Sequence, residues 1–114
     1  MSVFTFRTRS TGRDRETDAQ RFNMLSQTFA ELLDQVGKEE AGLRRRYEKV
    51  RDDAAFALQA LDNGGASGVS SRVDELTRSL AQCEARLADL RSQMEFLGDL
   101  QGQTSAFIGR MGQA

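Results

Sequence analysis

The chain has 114 residues, with 39% hydrophobic and 29% charged residues, a net charge of −1, one cysteine, and no proline, tryptophan or histidine. That length holds one domain; the composition is too apolar for a disordered chain and too poor in aromatics for a thick mixed core. A charge so near zero excludes strong overall attraction to nucleic acid or to an anionic membrane.

Residues 1–16 read as an extended or disordered N-terminal arm. Within it, Val3-Phe4-Thr5-Phe6-Arg7-Thr8-Arg9 alternates apolar and polar residues, the pattern of a short strand or of a segment lying in a groove. Arg7, Arg9, Arg13 and Arg15 make this arm loosely basic. It lacks the long apolar stretch of a secretory signal, and Asp14, Glu16 and Asp18 dilute any transit-peptide character, so a cytoplasmic location is expected.

Helix one is expected over about 17–62, with its start between Thr11 and Thr17. Thr17-Asp18-Ala19-Gln20 has capping-box spacing, in which a hydroxyl accepts from an orphan backbone N–H. A 4-3 repeat follows: Phe22, Ser26, Phe29, Leu33, Val36, Glu40, Leu43, Tyr47, Val50, Ala54, Ala57 and Leu61, apolar at all but Ser26 and Glu40. Asp34 with Lys38 and Glu40 with Arg44 stand four apart with the acid first, the favourable order on a helix surface.

A turn is expected over 63–68, where Asn63-Gly64-Gly65-Ala66-Ser67-Gly68 raises the entropy cost of continuing a helix. With no lysine after it and no strand before it, this stretch fails as a phosphate-binding loop.

Helix two is expected over about 69–112. Its repeat is Val69, Val73, Leu76, Leu80, Cys83, Leu87, Leu90, Met94, Leu97, Gln101, Thr104, Ile108 and Met111. Ser67, Ser70 and Ser71 are alternative caps, and Asp74 with Arg78 a surface pair. Cys83 lies on the apolar stripe and reads as a small buried hydrophobe.

A repeat averaging three and a half residues keeps one stripe facing a partner helix, so the fold class is all-α: an antiparallel two-helix coiled-coil hairpin, with dimerisation into a four-helix bundle as the preferred assembly. Opposed seam residues should have numbers summing to about 130, which sets Val50 against Leu80, Tyr47 against Cys83, Val36 against Met94 and Phe22 against Ile108. Ser26 then meets Thr104 in one polar layer. In architecture alone the chain resembles small helical-hairpin adaptors and chaperones, among them components of bacterial flagellar and type III secretion systems. No motif carries that likeness, so it assigns no functional residue.

Chemistry is not indicated. No serine, threonine or cysteine can be paired with a histidine base, no metal or cofactor ligand set is spaced for binding, and a two-helix hairpin offers no pocket for a small-molecule substrate. The longest apolar run, Ala54-Ala55-Phe56-Ala57-Leu58, is far short of the roughly 20 residues of a membrane span. A non-enzymatic protein without cofactor or metal is expected.

Two surfaces stand out. Beside the seam, Leu25 and Leu32 on helix one and Leu100 and Phe107 on helix two share one flank, with Phe96 nearby, while the corresponding positions nearer the turn are polar or charged. This flank exceeds what two helices bury and is expected to be covered by a second copy of the chain, by the Val3-Phe4-Phe6 segment or by a partner's helix, unless the helices rotate and absorb it in their own core. The alternative is a nucleic-acid-associated protein whose anion-binding face is Arg44, Arg45, Arg46, Lys49 and Arg51, with Arg86 brought near Arg46 by the register. A third reading is a spacer of about 65 Å, from about 45 residues per helix at 1.5 Å each.

Overall fold

A computed structural model of the chain describes residues 11–64 and 67–113. Helix α1 runs Thr11–Asp62 and helix α2 runs Ser67–Gln113, and no strand occurs among the described residues. The two helices pack against each other as an all-α helical hairpin. Neither contains proline, and both are rich in Leu, Ala, Glu, Gln and Arg, residues that lose little rotamer freedom in a helix. The Val3–Phe6 segment lies outside the described residues.

Helix α1 starts at Thr11, the early end of the expected Thr11–Thr17 range, so residues 11–16 of the expected arm are helical. Arg13, Arg15 and Glu16 are good helix formers, and Asp14 in the first turn complements the positive end of the helix dipole. Thr17 is therefore no cap. Its hydroxyl donates to the Arg13 carbonyl at 3.0 Å, one turn back in the same helix.

At the other end the Asn63 N–H donates to the Gln59 carbonyl and the Gly64 N–H to the Leu61 carbonyl, each at 3.1 Å. Gly64 has φ 83°, a left-handed conformation that costs a residue without Cβ little, which is why the chain leaves the helix here. Helix α2 opens at Ser67, so Ser70 and Ser71 lie within it. Arg72 pairs with Glu75 at 3.1 Å, and the expected Asp74–Arg78 pair does not form.

Packing divides the hairpin into a turn unit, Asp34–Glu95, and a terminal unit, Met1–Leu33 with Phe96–Ala114. The turn unit holds the core. Leu90 is fully buried, and Ala54, Leu76, Cys83 and Leu87 are also buried, all of them seam residues of the two repeats. Burying each leucine stabilises by about 1.5 to 3 kcal/mol. The antiparallel register follows the expected one: Gly37 faces the Met94 methyl, and the Tyr47 hydroxyl, next to Cys83 in register, donates to Glu84 at 2.9 Å. Glu40, the one charged seam residue, is also buried, with its carboxylate 3.8 Å from Arg44 and 3.9 Å from Arg91. Two guanidinium groups thus offset the cost of taking its charge out of water.

In the terminal unit the Phe22 ring packs on Phe107 with centroids 5.0 Å apart and planes tilted by 59°, a favourable aromatic geometry one residue from the expected Phe22–Ile108 match. Its seam is shallower. Phe22, Phe29, Leu33, Leu97, Ile108 and Met111 are only half-buried, and no described residue of this unit is fully enclosed. Ser26, Gln101 and Thr104 supply the physical reason, since short or polar side chains cannot fill the space between two helices. Ser26 and Thr104 form no hydrogen bond with each other; Thr104 donates instead to the Leu100 carbonyl at 2.8 Å.

Candidate docking surface

Because the terminal seam is thin, the residues beside it stay in solvent. Leu25 is 41% exposed, Leu32 38%, Phe96 61% and Phe107 39%, while Leu100 is half-buried. Leu25, Leu100 and Phe107 come together in an open groove of about 550 Å³, whose walls also include Phe22, Phe29 and Ala106. Gln103, Thr104 and Arg110 add the polar atoms. The Arg110 guanidinium lies 5.5 Å from the Phe107 centroid, a cation–π contact that shields one ring face and leaves the groove charged at one point. Leu32 and Phe96 belong to the same unit but do not line this groove.

Sequence reasoning assigned Phe22 and Phe29 wholly to the seam, whereas they also wall the groove. The legible signal was the polar triplet Ser26, Gln101 and Thr104, which predicts that neighbouring aromatics are incompletely covered. Met24, 68% exposed, also went unassigned in this unit, as did Phe56 and Leu58 in the turn unit. A smaller groove of about 390 Å³ is lined by Arg15, Asp18, Ala19, Ile108, Met111 and Gly112.

The six cations of the alternative site do not form one patch. Arg44 and Arg51 line one groove of the turn unit together with Arg91, Tyr47 and Glu84, whereas Arg46 and Arg86 line another with Lys38 and Glu39. Arg45 and Lys49 line neither groove. Arg86 comes beside Arg46 as the register requires, but its guanidinium is taken by Glu39 through two hydrogen bonds of 2.8 and 3.1 Å. Arg51 lies 3.9 Å from Asp52, and Arg44 shares Glu40 with Arg91.

These pairs also set the titration behaviour of the surface. Hydrogen bonding from Arg86 holds the Glu39 carboxyl below its ordinary value and raises Arg86 in return. Lys38 is raised by its 2.9 Å contact with Asp34, and the Tyr47 phenol is raised because its proton is held by the Glu84 carboxylate. All are solvated pairs, which contribute little to stability and fix local geometry more than fold.

Among the described residues no group of three or more His, Cys, Asp or Glu side chains is placed to hold a metal ion, and no helix is long and apolar enough to cross a membrane. What the geometry of the described residues defines is an all-α helical hairpin with an open apolar groove in its terminal unit. Neither protein-family models, nor curated proteins, nor solved structures provide a match to this chain.

Proposed function

We propose that the chain is a non-enzymatic, cytoplasmic helical-hairpin interaction module, an adaptor, chaperone or scaffold, and that it docks a helix of its partner on the apolar flank Leu25, Leu32, Phe96, Leu100 and Phe107. One observation carries the reading: the terminal unit exposes large apolar side chains beside a groove while none of its own described residues is fully enclosed. Helix-in-groove recognition lays the apolar face of one helix against an apolar groove, and Leu25 with Leu32 and Leu100 with Phe107 each stand about two turns apart on adjacent helices.

Magnitudes favour engagement of the whole flank. Three buried anchors at about 1.5 to 3 kcal/mol each only match an association cost of about 4 to 15 kcal/mol, so stable docking needs all five and the half-buried seam beneath them. The preferred partner is a second copy, giving a homodimer built as a four-helix bundle. An isologous pairing covers the same patch on both molecules at once, and a net charge of −1 sets little repulsion between them. The carboxylates already paired with Arg44, Arg51 and Arg86 weaken the nucleic-acid alternative.

Leu32→Ser combined with Leu100→Ser tests the docking reading by light scattering and circular dichroism. The expected result is association weakened by roughly tenfold or more, about 1.4 kcal/mol, with helicity retained. Parallel loss of association and helicity would identify the flank as ordinary core and end the proposal.

A further inference from the structure

Both repeats are periodic, so the apolar seam by itself does not choose between registers one heptad apart. In the turn unit the numbers of opposed seam residues sum to about 130, and a slide of one heptad would set Val50 against Leu87 and Tyr47 against Leu90, still apolar against apolar. The turn sequence permits such a slide. Glycine stands at 64 and again at 68, and moving the turn from one to the other shifts the pairing by about seven to eight residues, because each residue gained by α1 is one lost by α2.

Polar contacts join the two helices across this unit: Arg86 to Glu39, Tyr47 to Glu84 and Arg91 to Glu40. The first two lie in solvent, where such pairs weigh little. Glu40 is different, because it occupies the seam with its side chain only 11% exposed. Its Oε1 is approached by Arg44 Nη1 at 3.8 Å and by Arg91 Nη2 at 3.9 Å. Arg44 stands one turn along the same helix and travels with Glu40 in every register. Arg91 does not. Seven residues from it stand Glu84 on one side and Gly98 on the other, a like charge and a residue with no side chain. A slipped pairing therefore takes one of two cations from a carboxylate that remains out of water.

We propose that Glu40, through Arg91 of the opposite helix, selects the register of the hairpin against pairings slipped by a heptad. A polar residue at one seam position is the best-attested register device of helical pairs, at some cost in stability. The inference stands whatever the hairpin docks. The terminal groove takes walls from both helices, Leu25 from α1 and Leu100 and Phe107 from α2, so its shape depends on the register that Glu40 holds.

The test reads the register as a distance between spin labels on Gln35→Cys and Ala81→Cys, both exposed positions of the turn unit, in a Cys83→Ala chain that removes the buried native thiol. Dilution into excess unlabelled chain keeps the distance intramolecular. In the observed register the two positions are offset along the helices by about 21 Å, from about 14 residues at 1.5 Å each, and a slide of one heptad changes that offset by about 10 Å. With Glu40, Arg44 and Arg91 in place one distance is expected. Glu40→Leu and, separately, Arg91→Ser should each add a second population displaced by up to about 10 Å. Arg44→Ser should leave a single distance, because that cation favours no register. One unshifted distance in Glu40→Leu or in Arg91→Ser overturns the proposal, and so does a second population in Arg44→Ser.

Discussion

The turn unit and the terminal unit carry the same 4-3 repeat on the same two helices, yet they bury it differently. In the turn unit Leu76, Cys83, Leu87 and Leu90 are enclosed, and even the Glu40 carboxylate is covered by its neighbours. In the terminal unit the repeat residues are half-buried, and Met24, Leu25, Leu32, Phe96 and Phe107 face solvent. The difference follows from a few positions. Ser26, Gln101 and Thr104 occupy the seam of one unit, whereas Val50, Leu80, Cys83 and Leu87 occupy the seam of the other. A hydrophobic stripe predicts burial only where its opposite number has the volume to complete it, and uncovered apolar area is what a partner can use.

The contrast is broken most directly by truncation in each unit. Leu90→Ala removes a fully enclosed side chain and should cost about 3 kcal/mol in denaturant unfolding, whereas Leu100→Ala, half-buried, should cost about 1 kcal/mol. Equal costs under monomeric conditions would mean that the flank of the terminal unit is as well packed as the core of the turn unit. The association loss expected for the Leu32→Ser and Leu100→Ser pair comes next in size. Smaller again is Gly102→Ala, where an added Cβ meets no atom within 4 Å. Removing the entropy cost of glycine inside α2 should stabilise by about 1 kcal/mol, read as a raised melting temperature; a lowered one would mean that this bare helix face is closely covered in solution.

The smallest effect is electrostatic and belongs to the turn unit. Glu39 titrates below its ordinary value of 4.5 in the folded chain because Arg86 donates to it. A depressed carboxylate contributes stability above the unfolded value and loses it as pH falls through the folded one, so the contribution fades below about pH 4.5. Glu39→Gln should reduce the acid sensitivity of unfolding across that window. An unaltered pH profile would show that the pair is too solvated to register.

Much of this was legible in the residues. The two repeats, separated by Asn63-Gly64-Gly65, identify two helices and a turn because helical periodicity and a glycine break are local properties. The antiparallel register was also legible: Gly37 facing Met94 and Tyr47 reaching Glu84 lie where a short turn forces them. The helix start was legible only as the range Thr11 to Thr17, since Thr17 has the chemistry of a cap and the residues before it have helical propensity; the backbone followed propensity to the early end of that range. The role of Phe22 and Phe29 as groove walls escaped the pattern because a repeat marks which way a side chain points, not how completely it is covered.

The order of apolar and polar residues along the chain thus determined the helices, their turn and their pairing, because each depends on neighbours a few residues away and on one short connection. Only the packing of one helix on the other decided which apolar side chains were enclosed, which cations found carboxylates and where a groove opened. Those outcomes depend on volumes and charges contributed jointly by two distant stretches of chain, and no single stretch contains them.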